Sequence, residues 1–145
     1  MATGAQGPRL ALAGLGLLLA AAGVGAARAV PMPGAPMAVP VTDPGVQAAA
    51  RAAVGAFNRD SDDPALFRVR RVLAAQSQVV SGVKYHVTVE LERTRCRKGA
   101  GRDPQACAPA PPAQRQKLMC EFQVWSRPWL HDTRVLAQSC VPAQA

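Results

Sequence analysis

Few side chains in this sequence could carry out chemistry. There are four cysteines, Cys96, Cys107, Cys120 and Cys140, two histidines, His86 and His131, and nine carboxylates. A zinc site needs close cysteine pairs with histidines, and the spacings here are wrong for that. An even count in a small exported chain points instead to two disulfides, with three possible connectivities. The pairing taken here is Cys96–Cys107, closing a short loop of charged, Gly and Pro residues, and Cys120–Cys140, clamping two segments that read as neighbouring strands. Each bridge should stabilise by roughly 2–4 kcal/mol, mostly by restricting the unfolded chain. With all four sulfurs bridged, no thiol remains as nucleophile or metal ligand. His86 falls on the polar side of a strand and His131 in a loop, and neither Ser81 nor Ser126 has an evident histidine partner. The expectation is no catalysis, no metal and no cofactor.

Export is read from residues 1–29. Arg9 supplies a positive start, Leu10 to Ala22 is an uncharged run of Ala, Leu and Gly, and Ala27-Arg28-Ala29 carries small residues where a signal peptidase reads. Cleavage is expected before Val30. The run is short for a membrane span, and nothing later resembles one, so a secreted, extracellular chain of residues 30–145 without membrane contact is expected. That length suits one domain with one modest core.

The mature chain carries 15 Lys and Arg against 9 Asp and Glu, or +6. Arg68, Arg70 and Arg71 form the densest group, followed by Arg93, Arg95, Arg97 and Lys98. Tyr85 is the only tyrosine, and no interleaved aromatic platform accompanies the cations, so nucleic acid is not expected as a partner. A solvated basic face, weakly attractive to anionic surfaces or glycans, fits better.

The elements that must position any site follow from periodicity. Residues 30–43 form an extended arm, because Val30 to Val41 holds four prolines and one glycine. It is read as a plain mobile terminus, with docking into a partner's groove as the alternative. Asp43 is a good N-cap and Pro44 fits the first helical position. Val46, Ala49, Ala50, Ala53, Val54 and Phe57 then make one apolar stripe, with Asn58 on another face, so a helix is expected from about Pro44 to about Arg59. Leu66 to Gln76 reads as a strand. Val83 to Leu91 alternates apolar and polar without error, the period of a half-buried strand. Residues 96–116 read as loop, Lys117 to Val124 as a third strand and Thr133 to Cys140 as a fourth. The fold class is α+β: one long helix across a four- to five-stranded antiparallel sheet, filling residues 44–145.

Two hairpin loops carry apolar tips. Gln78-Val79-Val80-Ser81-Gly82 has two valines where hairpins are usually polar, and Ser81-Gly82 supplies the turn. The valines either fold back onto the core or form a contact surface. Ser126 to Asp132 carries Pro128-Trp129, and this tryptophan is either a lid on the core or a binding anchor. Both tips, with the arm, can lie at one end of the sheet and form a wedge.

These residues resemble a known family. Gln78, Val80 and Gly82 stand as Q-x-V-x-G, the first-loop motif of the cystatins, and Pro128-Trp129 matches their second-loop dipeptide. The helix, the signal peptide and the four cysteines are similar to those of the secreted, type 2 cystatins, in the group of cystatin C, the egg-white and the M-type members. The resemblance covers 34–141. It implies reversible, non-covalent inhibition of papain-like cysteine proteases (cathepsins), with Gly34, Gln78, Val79, Val80, Ser81, Gly82, Pro128 and Trp129 as the protease-binding residues. It also implies a monomer, with exchange of the helix and first strand between subunits as an alternative. Gly34 would let the arm turn past the catalytic cysteine. Where the family's arm has two aliphatic residues before that glycine, this chain has Met32-Pro33. Asp62 stands where some relatives place an asparagine that inhibits legumain, so that activity is not carried over. Asn58 is the only asparagine and lies in no sequon, so N-glycosylation is not expected. The rival readings are a non-inhibitory cystatin-fold binding protein and a cationic antimicrobial or glycan-binding protein.

Overall fold

The computed structural model describes residues 34–143 and four isolated glycines nearer the N-terminus. The expected signal segment and Met32-Pro33 lie outside the described residues, those glycines apart. The elements run β1 (Met37–Ala38), α1 (Pro44–Asp60), β2 (Ala65–Val80), β3 (Gly82–Arg97), β4 (Lys117–Arg127) and β5 (Asp132–Pro142). The five strands lie in the order β1-β2-β3-β4-β5, each antiparallel to its neighbour.

The helix begins where its cap predicts. The Asp43 carboxylate accepts from the backbone N–H groups of Gly45 and Val46 at 2.9 and 3.2 Å, satisfying two donors that have no intrahelical partner. At the far end the Ser61 N–H closes on the Phe57 carbonyl at 2.8 Å. The stripe Val46, Ala49, Ala50, Ala53 and Val54 packs on Phe67 of β2, Val87, Val89 and Leu91 of β3, and Leu118, Cys120, Phe122 and Val124 of β4. Small alanines let the sheet approach, and large residues on the strands fill the space. Each such large side chain contributes about 1.5–3 kcal/mol by leaving water. Phe57 stands edge-on to Phe67 with ring centroids 5.2 Å apart, closing the core at the end of the helix.

Asn58 departs from the reading of an outward residue. It is buried, its Nδ2 donates to the Phe67 carbonyl at 2.9 Å, and its Oδ1 accepts from the Phe67 N–H at 2.8 Å. The register of β2 against β3 shifts between Ala65 and Phe67, so Phe67 turns its backbone to the helix and Asn58 completes the ladder. Further shifts fall between Val69 and Arg71 and between Val72 and Ala74. Such bulges bend a strand, which suits a sheet that follows a helix.

The arm also departs from expectation. Met37 and Ala38, flanked by Pro36 and Pro40, pair with Ser77 and Gln76 as an edge strand, and the Val39 N–H donates to the Ala75 carbonyl at 3.1 Å. Proline holds neighbouring residues extended, and an edge strand tolerates its missing donor. Within the described part of the arm, Met37–Ala38 is therefore an element of the sheet. Residues 98–116 are better packed than a loop reading suggests. They contain 3-10 turns at Pro104–Ala106 and Pro112–Gln114, and Cys107 and Ala110 are buried. Disulfides join Cys96 to Cys107 and Cys120 to Cys140, the pairing expected.

Candidate functional site

Both hairpins are tighter than the sequence suggests. Strands β2 and β3 pair up to Val79↔Val83 and Val80↔Gly82, leaving Ser81 alone at the tip. Gln78 is accordingly a strand residue, opposite Lys84. Between β4 and β5 the turn is a single 3-10 unit, Pro128–Leu130, whose pyrrolidine presets the backbone at its start. His131 follows with φ of 47°, its N–H donating to the Pro128 carbonyl at 3.0 Å. That histidine serves a turn. His86 lies in β3 between Gln76 and Gln123.

The tips present apolar groups to solvent. Val79 is 70% exposed, Val80 40%, Trp129 61% and Leu130 55%. Trp129 is thus not a lid on the core, and the two valines do not fold back onto it. Among the described residues, no group of three His, Cys, Asp or Glu side chains is placed to hold a metal ion.

The expected site residues are brought together at this end. Gly34 has φ of 82°, in the left-handed region that favours glycine. A methyl built on it would stand 3.2 Å from the Val79 carbonyl oxygen, so the arm passes directly along the first tip. Gly82 has φ of 96°, and a methyl there would overlap the Ser126 carbonyl and stand 3.1 Å from the Trp125 indole nitrogen. The glycine is needed twice, for its backbone and for the approach of β4.

Trp125 is a residue of the site that the sequence reading missed. Its Nε1–H donates to the Ser81 carbonyl at 2.7 Å, tying the first tip to the strand that leads into the second. The Arg127 guanidinium lies 4.3 Å from the centre of the Trp125 ring and pairs with Asp132, the first residue after the second turn. Arg134 adds a second contact to Asp132 at 3.1 Å. The hydrogen bond from Arg127, then those from Arg134, hold the Asp132 carboxyl below the ordinary aspartate range despite partial desolvation. One chain of contacts, Ser81–Trp125–Arg127–Asp132, therefore braces both tips. Its signal was present: Trp125 interrupts the polar positions of β4 and has no place in the apolar stripe of Leu118, Cys120, Phe122 and Val124.

Residues 34–129 match the cystatin domain. The chain belongs to the cystatin family. It is 46% identical to a cystatin of the snake Pseudonaja textilis over 105 residues, 69% of this chain and 74% of that one. A cystatin of Pseudechis porphyriacus is 47% identical over the same share of each chain. Among solved structures, dimeric human cystatin F superposes with a TM-score of 0.74 at 35% identity, covering 79% of this chain and 91% of that one. A salivary cystatin of the soft tick Ornithodoros moubata, at 21% identity, TM-score 0.63 and coverage of 76% and 99%, shares the fold. Cystatins are protease inhibitors, and the chain is not an enzyme. The helix on a five-stranded antiparallel sheet is the cystatin architecture. Among the described residues no helix is long and apolar enough to cross a membrane.

Proposed function

We propose that this cystatin is a secreted, reversible, tight-binding inhibitor of papain-like cysteine proteases, acting as a wedge in the active-site cleft. The observation that carries the reading is the set of exposed apolar tips, Val79-Val80 and Trp129-Leu130, braced through Trp125 beside the turn at Gly34. Exposed apolar groups on a rigid frame suit a partner's cleft, because little conformational entropy is lost when they are buried. In this mechanism Val79 and Val80 bury against the cleft walls. The absent side chain of Gly82 lets the tip narrow. Pro128 and Trp129 pack on the far side, and the arm turns away at Gly34 so that no peptide bond is offered to the catalytic cysteine. Gln78 and Ser81 hold the tip's backbone, Gln78 from within the ladder and Ser81 through its carbonyl. Blockade is steric, and no bond forms or breaks.

The two disulfides fit an oxidising, extracellular setting. The inhibitor acts as a monomer, with exchange of the helix and first strand between subunits as the alternative. The decisive experiment is titration of residues 30–145 against active-site-titrated papain, following residual hydrolysis of a small substrate. Stoichiometric and reversible loss of activity is expected. Undiminished activity in the presence of the disulfide-bonded protein would make it a non-inhibitory binder.

A further inference from the structure

The net positive charge of residues 30–145 comes from one stretch. Residues 93–117 hold seven Lys and Arg against one Asp, which equals the whole +6 of residues 30–145, so the rest of that chain is balanced. The sheet puts this stretch far from the wedge: at about 3.3 Å per residue, Arg93 stands roughly 35 Å along β3 from Gly82. The acids that could neutralise it are already engaged, Asp63 with one cation of the stretch itself, Arg93. Asp63 accepts from Arg93 at 2.9 Å and from the Ala65 N–H at 2.8 Å, Glu92 pairs with Arg68 at 2.6 Å, and Asp103 caps the Pro104–Ala106 turn.

Two of the remaining cations, Arg95 and Arg115, are held by loop carbonyls. The Arg95 Nε donates to the Pro109 carbonyl at 3.1 Å and the Arg115 Nε to the adjacent Ala110 carbonyl at 3.4 Å, which leaves both guanidinium forks pointing outward from one short segment. Arg93, Arg95 and Arg97 line a cavity of about 250 Å³ with Pro64 and Gln114. The Cys96–Cys107 bridge ties the loop carrying Arg102 to the end of β3. Alternate residues on a strand stand about 7 Å apart, so Arg93, Arg95 and Arg97 of β3 stand at that interval along a line.

We propose that this end of the molecule binds a sulfated polysaccharide through Arg95, Arg97, Arg102 and Arg115, leaving the wedge free. A linear chain bearing repeated sulfates matches a row of forks, each able to take two oxygens of one group. Tyr, Trp and Phe are absent from 93–117, so nothing stacks on bases, and nucleic acid is the poorer partner. The apolar residues of the loop are small or buried, which leaves nothing to enter a lipid surface.

The test is retention of the secreted full-length product on immobilised heparin in a salt gradient. Elution above physiological ionic strength is expected. Arg97→Gln with Arg102→Gln, side chains without an ion pair among the described residues, should weaken binding about tenfold. Arg95→Gln with Arg115→Gln should do the same. Arg51→Gln with Lys84→Gln removes the same charge elsewhere and should leave retention unchanged; circular dichroism melting would verify that each variant is folded. Equal weakening by all three pairs would mean diffuse charge and overturn the site. So would elution of the parent below physiological salt, or equally tight retention on single-stranded DNA.

Discussion

At one end of the sheet, Val79, Val80, Trp129 and Leu130 stand in solvent on two segments, 78–82 and 128–130, which like the neighbouring 34–36 contain no charged residue. At the other end, residues 93–117 carry the whole excess of cations of residues 30–145 and no exposed large apolar side chain. Both ends are braced, but differently. The wedge is held by side chains reaching from one hairpin to the next, Trp125 to Ser81 and Arg127 to Asp132. The basic end is held by a disulfide and by guanidinium groups donating to loop carbonyls. The difference fits two kinds of contact. Apolar tips gain free energy only when water is expelled, so they need a preformed cleft and a fixed shape. Charges act over about a Debye length, so they need density more than fit. A molecule with both can be held by a polyanion at one end while the other closes a protease.

The comparison breaks most readily at Gly82. Any β-carbon there meets the Ser126 carbonyl, and φ of 96° strains an L side chain. Gly82→Ala should weaken papain inhibition by about a hundredfold or more and leave heparin retention as it was. A variant that inhibits like the parent would show that the tip need not be narrow. Trp129→Ala comes next, with an expected loss of about ten- to hundredfold in the inhibition constant and an unchanged melting temperature, because the ring covers no core. A drop in melting temperature of several degrees would instead make Trp129 a structural residue.

A finer test separates contact from bracing. Trp125→Phe keeps an aromatic face for Arg127 but removes the donor to Ser81. One neutral hydrogen bond is worth about 1 kcal/mol, so inhibition should weaken about fivefold. The loss should fall on the association rate if the loosened tip must find its shape before binding. Full inhibition by the phenylalanine variant would assign the bracing to the β-ladder alone.

Local rules made much of this legible beforehand. Asp43 and Pro44 fix the start of α1 because a cap and a preset φ are properties of two adjacent residues. The alternation from Val83 to Leu91 fixes which face of β3 is buried, and Cys120 pairs with Cys140 because β4 and β5 lie side by side, whereas Cys96–Cys107 closes a short loop. What escaped depends on distant partners. Asn58 looks like a surface residue of a helix until a bulge in β2 turns the Phe67 backbone toward it. The arm looks like a free tail because proline removes donors, but two of the three residues between Pro36 and Pro40 suffice to pair with Gln76 and Ser77. Trp125 could not be placed because its partner is a backbone carbonyl in another hairpin. The basic end was visible as a run of Arg residues, but that Arg70 and Arg71 do not belong to it depends on pairing across strands.

That boundary is set by Glu90. Its carboxylate is buried and takes Arg70 at 2.7 Å and Arg71 at 3.0 Å, so these two arginines of β2 are tied to a carboxylate on the sheet, with one positive charge left over between them, and do not stand free like those at the far end. Desolvation pushes the Glu90 carboxyl up, but the hydrogen bonds from Arg71 and Arg70 together outweigh it and hold the group below the ordinary value of 4.5. A depressed carboxyl contributes stability that is complete above its unfolded value and is lost as pH falls through the folded one. Glu90→Gln should therefore lower stability by about 1 kcal/mol at neutral pH, a modest figure because both arginines reach solvent. The gap between parent and variant should close as pH falls below 4.5, measured by urea unfolding at a series of pH values. At neutral pH the same substitution releases two cations on the outer face of β2, and heparin retention should rise slightly, by less than the shift from the Arg97 and Arg102 pair. A rise as large as that shift would mean that the basic surface extends across the sheet and that Glu90, rather than distance from the wedge, determines where it stops.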